Sequence, residues 1–258
     1  MNLIILGSGT SVPSKKRKSS SYLLEIDGVV NLIDCGPGAL HQLAHTQYTT
    51  KDISNIFISH THLDHISDLF TIFFANRYYV QKNSICNSFM VYSSKENINV
   101  LKNIDKIHRY LTYDDNNKYE FIELNNGDSI EYEQFKLFTL STIHSKGSLM
   151  FKFVDRKNLS FVYAGDTGLC ENLCEISFNV DYLLIECSLP DSISLETHMT
   201  PYKVRELAKA SKPKNIILTH FYPEIDKTDE LFVLKDELIK KYGINVIISS
   251  DLMSLELR

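Results

Sequence analysis

Between positions 60 and 65 the chain reads His60-Thr61-His62-Leu63-Asp64-His65, which places four metal-capable side chains within six residues. They follow the short apolar run Asn55-Ile56-Phe57-Ile58-Ser59, which reads as a strand. An imidazole ligates a metal only when neutral and a carboxylate only when ionised, so both types are available near pH 7. Packing does not account for such a cluster at a strand exit, because each group still needs a polar partner. A divalent cation such as zinc meets that need for all of them at once.

Other strand exits carry similar groups. His144 comes after the run Phe135–Ser141, Asp166 after Phe161-Val162-Tyr163-Ala164-Gly165, and His220 after Ile216-Ile217-Leu218-Thr219. Asp34 closes Asn31-Leu32-Ile33 just before the turn Cys35-Gly36-Pro37-Gly38. Functional groups gather at such places in α/β proteins. A lone histidine there is more often a hydrogen-bonded structural residue. Recurring beside H-x-H-x-D-H, these residues read as ligands. His41, His45 and His108 lack such company and read as surface or helix-face residues, and Tyr163 and Phe221 as wall or core.

The elements that must position these groups are mostly short β-rich runs with helical patterns between some of them. Ile66, Leu69, Phe70, Phe73 and Phe74 recur at helical spacing and predict one helix from Asp64 or just after it. Thr200-Pro201 reads as a helix cap and first turn, with the helix running through Ser211 and stopped by Pro213. Leu231, Leu234, Leu238 and Tyr242 mark a last helix that Gly243 ends. Strands and helices in both halves predict an α/β protein whose strand layers are covered by helices. The 258 residues, 43% hydrophobic and 23% charged, suit a soluble globular chain. Residues 1–258 read as a single domain.

No apolar run approaches the roughly 20 residues of a membrane span. Met1–Leu6 reads as a first strand entering the turn Gly7-Ser8-Gly9-Thr10, not as a signal peptide. Five scattered cysteines favour reduced thiols and a cytoplasmic location over a disulfide framework, and Cys170-x3-Cys174 lacks the second half of a zinc site. The net charge of −5 argues against broad nucleic-acid binding. Lys15-Lys16-Arg17-Lys18 is a basic loop, either a solvated turn or a phosphate-attracting lip. Thr112–Lys118 reads as an exposed polar loop.

Taken together, Gly7-Ser8-Gly9-Thr10, Leu32-Ile33-Asp34-Cys35-Gly36, His60 to His65, His144, Ala164-Gly165-Asp166-Thr167 and Leu218-Thr219-His220-Phe221 resemble the metallo-β-lactamase superfamily. The resemblance spans nearly the whole chain and implies a four-layer αββα sandwich. Glu186, His198-Met199-Thr200-Pro201 and Thr219-His220-Phe221, in that order, look like ribonuclease Z and its phosphodiesterase relatives. The family pattern implies two divalent metals, with zinc the expected ion and manganese or iron as other occupants. It places His60, His62 and His144 on one metal and Asp64, His65 and His220 on the other, with Asp166 bridging. Asp34 is expected behind the ligands, accepting a ring N–H and fixing its tautomer. Such relatives are often homodimers, so the resemblance implies a homodimer here.

Two close metals suit phosphodiester hydrolysis, because a water they share has a lowered pKa and the cations offset charge on the phosphoryl oxygens. Asp64 is expected to orient or deprotonate that water. The leaving oxygen needs a proton, and His198 is the expected general acid, with Glu186 holding its imidazole. The simpler role for His198 is to cap the helix that starts near Thr200.

Ribonuclease Z enzymes of bacteria and archaea carry a basic arm between the third histidine and the bridging aspartate. Here His144 and Asp166 are 22 positions apart, room only for two paired strands at Leu149–Val154 and Leu159–Ala164. A small or cyclic nucleotide is therefore at least as good a substrate as an RNA. The same fold also admits thioester, lactone or lactam hydrolysis, a di-iron redox centre or a silent binding subunit. Those chemistries leave the Glu186/His198 pair, the absent redox partner and the complete ligand set unexplained, respectively.

Overall fold

The computed structural model describes residues 1–81, 89–107, 119–193 and 195–258. Cys86, His108 and the stretch Thr112–Lys118 lie outside them. Two seven-stranded sheets form the centre. The first follows the spatial order β14 (Ser254–Glu256), β1 (Asn2–Gly7), β2 (Ser21–Ile26), β3 (Val29–Cys35), β4 (Ile53–Phe57), β5 (Phe89–Ser94) and β6 (Tyr119–Leu124). The second runs β13 (Asn245–Ile248), β12 (Asn215–Thr219), β11 (Tyr182–Glu186), β10 (Ser160–Tyr163), β9 (Leu149–Asp155), β8 (Phe135–Ser141) and β7 (Ser129–Glu131). In each sheet the outer pairings are antiparallel as far as β3 or β10 and parallel beyond.

Period-two alternation explains why the strands are apolar on both faces. Leu3 and Ile5 face the space between the sheets, while Ile4 and Leu6 face the helix layer. Likewise Phe161 and Tyr163 point between the sheets, and Val162 and Ala164 point outward. The inter-sheet layer is aromatic: Phe57 stacks on Tyr92 with ring centroids 4.6 Å apart and meets Phe153 edge-on at 5.1 Å. Helices α1 (Ala39–Leu43), α2 (Leu63–Ile66), α3 (Leu69–Gln81) and α4 (Lys95–Ile107) cover the first sheet through Leu43, Ile66, Phe73 and Leu101. Helices α5 (Glu171–Ile176), α6 (Pro201–Ser211) and α7 (Glu230–Tyr242) cover the second through Leu173, Leu207 and Leu234. This is the αββα sandwich. No helix among the described residues is long and apolar enough to cross a membrane.

Three sequence expectations need correction. The single helix expected from Asp64 is broken at Ser67–Asp68 into α2 and α3, because the Asp68 N–H bonds the Cys35 carbonyl at 3.0 Å. The Asp68 carboxylate in turn accepts the N–H groups of Gly38 and Leu40. Phe74, placed on the apolar face by spacing, is 54% exposed. The strand expected to run to Ser59 ends at Phe57. Ser59 turns away, its N–H bonding an Asp34 oxygen and its carbonyl accepting from Leu149 N–H. That departure delivers His60 to the sheet edge. The short, polar β7 and the helices α4 and α5 carry no strong sequence signal, and the turn between β9 and β10 leaves no arm.

Candidate metal centre

Every expected ligand follows a strand at the same edge of the two sheets, Asp64 and His65 from the short helix α2 and the others from loops. After β4 the chain bends at Ser59 and reaches His62, which is extended and precedes α2. The first turn of α2 then buries Asp64 and His65 and leaves Leu63 outside. His144 follows β8, Asp166 follows β10 and His220 follows β12. His220 and Asp34 both adopt left-handed backbone, with φ of 57° and 52°, a conformation few side chains tolerate without support.

The structure brings these residues together as two groups. In the more open one, His62 Nδ1 lies 3.0 Å from both His60 Nε2 and His144 Nε2. In the buried one, Asp64, His65 and His220 converge. His65 Nε2 and His220 Nε2 lie 3.4 and 3.3 Å from Asp166 Oδ1. The other oxygen of Asp166 faces the open group, 3.8 Å from His144 Nε2 and 4.0 Å from His60 Nε2. One carboxylate therefore presents an oxygen to each group.

The outward ring nitrogens of His60, His65 and His144 are already committed. His65 Nδ1 donates to Asp34 Oδ2 at 2.7 Å, and Asp34 also accepts from Ser59 Oγ and from Tyr163 Oη. Ser59 Oγ lies 3.1 Å from His60 Nδ1 and, having given its hydrogen to Asp34, accepts there. His144 Nδ1 donates to the Thr197 carbonyl. The inward nitrogens of His60, His65 and His144 are then bare lone pairs. His65 Nε2 and His220 Nε2 are buried with no hydrogen-bond partner. Orphaned buried acceptors are costly unless something fills the gap, and lone pairs converging with carboxylates call for cations.

The charge balance agrees. Burial pushes His60 well below the ordinary imidazole range, and the neighbouring His65 adds to this, so it is neutral. Burial alone would raise Asp166, but His220, His65 and His60 hold it well below the carboxylate range. Burial would also raise Asp64, yet His220 and His65 bring it to about 2. Burial opposes a proton on His65, but Asp166 and Asp34 pull it well above its ordinary value. Positive charge is what this pocket lacks, and a divalent cation meets the same need with the ring neutral. The donor set, nitrogen and carboxylate without thiolate, fits zinc and equally admits manganese or iron.

His198 stands beside this centre, its Nδ1 4.0 Å from Asp166 Oδ2 and 3.0 and 3.1 Å from the two oxygens of Glu186. Burial lowers His198, but the bond to Glu186 and its charge outweigh that and raise the ring above its ordinary value. Its neighbour Thr200 does precede α6, but without a side-chain capping bond.

Sequence reading passed over several groups. Ser11 N–H bonds Asp64 Oδ2 at 3.0 Å, Tyr163 binds Asp34 in addition to filling the wall, and Ser188 Oγ sits between Glu186 and His220 Nδ1. Strand alternation puts Ser188 on the same side as Glu186, which was the available signal. Within the basic loop, Arg17 is no free lip: its guanidinium forks onto Asp226, donates to Ser8 and the Ser249 carbonyl, and lies over the Phe221 ring. Lys15, Lys16 and Lys18 are exposed. His41 and His45 are exposed, away from the centre.

The sequence model of the family described as anti-Pycsar protein Apyc1 matches residues 1–239. A ribonuclease Z of Methanosarcina acetivorans is 26% identical over 312 aligned positions, taking in 100% of this chain and 98% of the relative. That alignment is longer than the 258-residue chain, so the relative carries sequence this chain lacks. Among solved structures, the metallo-beta-lactamase fold protein YhfI from Bacillus subtilis superposes with a TM-score of 0.80 at 20% identity, covering 98% of each chain. Human tRNase Z, short form, superposes with a TM-score of 0.77 at 22% identity, covering 100% of both. These likenesses fix the fold as that of the metallo-β-lactamase superfamily.

Proposed function

Because this chain belongs to the family of anti-Pycsar protein Apyc1, with ribonuclease Z-like relatives in the metallo-β-lactamase superfamily, we propose that it is a dinuclear metal-dependent phosphodiesterase. His60, His62 and His144 would hold one divalent cation, Asp64, His65 and His220 the other, and Asp166 both. When bound, the pair would supply Lewis acidity, lowering the pKa of a shared water and offsetting charge on the phosphoryl oxygens.

The chain's own groups do the rest. Asp64 would hold a cation and orient or deprotonate the attacking water. His198 protonates the leaving oxygen, and Glu186 accepts its Nδ1–H so that the acidic proton is carried on Nε2. The observation that carries this reading is the buried Glu186/His198 pair beside the metal groups. A phosphodiester leaves as an alkoxide that needs such an acid, whereas a thiolate needs none. No observation favours the thioester, lactam or di-iron alternatives.

The substrate class we propose is a small or cyclic nucleotide phosphodiester in preference to precursor tRNA. Three observations support it: the tight turn between β9 and β10, the net charge of −5, and the commitment of Arg17 to internal partners. A side-by-side assay on precursor tRNA and on cyclic nucleotides, with zinc or manganese supplied, tests the reading. Faster cleavage of the tRNA would overturn the substrate class. Absence of any phosphodiesterase activity, including on bis-p-nitrophenyl phosphate, would overturn the function.

A further inference from the structure

We infer that Ser188 is a positioning residue: its hydroxyl relays the Glu186 carboxylate to His220, so that one buried carboxylate sets both a metal-holding ring and the leaving-group acid.

The inference starts from hydrogen counting. Ser188 is completely buried and follows β11 by two residues. Its backbone is fixed, with the N–H on the Met199 carbonyl and the carbonyl accepting Tyr222 N–H. Its Oγ has two neighbours, a very short contact to Glu186 Oε2 and His220 Nδ1 at 2.9 Å. An ionised carboxylate only accepts, so the single hydroxyl hydrogen must go to Glu186. The oxygen can then only accept from His220, which requires the proton on His220 Nδ1. The lone pair of His220 is thereby placed on Nε2, the buried atom without a partner that faces Asp64 and Asp166.

Glu186 completes the chain on its other side. It accepts the Thr167 N–H at 2.8 Å and the Nδ1–H of His198 at both oxygens. The direct separation of His220 Nδ1 from Glu186 is 4.0 Å, too long for a hydrogen bond. Without the serine hydroxyl, Glu186 still orients His198 but no longer reaches His220. The opposite ring of the buried group, His65, needs no such intermediary because Asp34 touches it directly. The two rings that face Asp166 Oδ1 are therefore held by different devices, one a carboxylate and the other a carboxylate acting through an alcohol.

This inference rests on the proposed metal sites for its consequence, but its test does not depend on them alone. In the metal-free protein, nitrogen NMR of His220 reads the tautomer directly. The wild type is expected to show the proton on Nδ1, and Ser188→Ala a shift toward the Nε2–H form. Binding of zinc alone, measured by chelator competition, is expected to weaken about 10–100-fold for one equivalent in Ser188→Ala, the range for losing a group that orients a ligand. Ser188→Thr, which keeps the hydroxyl, is expected to restore both signals, as a purely structural defect would not require. Ser188→Ala should also keep the wild-type dependence of rate on leaving-group pKa, since His198 and Glu186 remain paired, whereas Glu186→Gln should lose that dependence as well as zinc affinity. An unchanged His220 tautomer in Ser188→Ala, or a threonine variant as defective as alanine, would overturn the role of Ser188. Failure of the wild type to bind zinc would overturn the metal reading instead, with the tautomer still deciding on Ser188.

Discussion

The two sheets are built to the same plan yet contribute to the centre in different ways. In each, three antiparallel pairings give way to three parallel ones, at β3 in the first sheet and β10 in the second. Each pivot strand has an aspartate at its end, Asp34 as the second-last residue of β3 and Asp166 just past β10, and the two carboxylates address opposite nitrogens of one ring, His65. Beyond the pivots the halves diverge. The first sheet spends a single loop after β4 and obtains His60, His62, Asp64 and His65 from it. The second provides one or two groups per strand end: Asp166, then Glu186 with Ser188, then His220. A contiguous loop can be held by few anchors, chiefly Asp34 and Ser59. A scattered set depends on strand register, since a slip of one residue would turn each group to the opposite face.

The largest effects should come from the residue both groups share. Asp166→Ala should abolish activity on bis-p-nitrophenyl phosphate and on cyclic nucleotides, and metal analysis of the purified variant should find both ions reduced. His62→Ala, at the exposed rim of the open group, should lose one ion and retain the other. If removing Asp166 cost only one ion, the two groups would not share a bridge.

Next in size is a change that spares the ligands. His198→Ala should keep its metal and lose ~10²–10⁴-fold in rate on a substrate with a poor leaving group. The deficit should shrink on p-nitrophenyl esters, whose leaving group needs no proton. Equal losses on both would show that His198 does not act as the acid and would return it to a supporting role at the start of α6.

Smaller still is the loss of the anchor behind the contiguous loop. Asp34→Asn keeps the shape but can no longer accept from Ser59, His65 and Tyr163 together. Zinc affinity should fall about 10–100-fold, the same range as for Ser188→Ala, because each variant frees one of the two rings, His65 or His220, that face Asp166 Oδ1. Zinc titration of the double variant measures whether the two anchors act independently. Chelated Ser188→Ala should lose less stability than chelated Asp34→Asn, because fewer buried hydrogen bonds depend on Ser188 Oγ. Asp34→Asn should be less stable even without metal, since one oxygen becomes a donor and between one and three of the four donors lose their acceptor in the core.

The contrast between halves also governs what could be read from sequence. Four ligands in six positions stand out because no strand or helix period produces them. His144, Asp166 and His220 are separated by whole elements, and each became legible only through its place after an apolar run. Glu186 and His198 were legible through the family order of motifs, not through spacing. Ser11 was not legible and Ser188 only by its alternation with Glu186, because serines are common after strands and their role arises from a distance that folding sets. The break between α2 and α3 was hidden for the same reason: Asp68 looks like any helix-surface carboxylate until Cys35 and Gly38 are brought beside it.

The basic loop gives the finest test of the comparison, because Arg17 ties the first half to the second while its neighbours face solvent. Arg17 donates to Ser8 on its own side and to Asp226 and Ser249 across the molecule, with 11% of its side chain exposed. Arg17→Ala should therefore lower stability by about 1.5–3 kcal/mol, the range for hydrogen bonds to a charged group, measured by urea unfolding of the metal-loaded protein. Arg17→Lys should recover little, since an ammonium cannot fork onto Asp226 in the same plane. Lys15→Ala and Lys16→Ala should leave stability within about 0.5 kcal/mol of the parent. If these lysines draw in an anionic substrate, removing both should lower kcat/KM by roughly two- to fivefold at low salt, and the difference should vanish as salt screens exposed charge. A loss that persisted in high salt would mean the lysines touch the bound substrate, and the loop would then belong to the site and not merely to its approach.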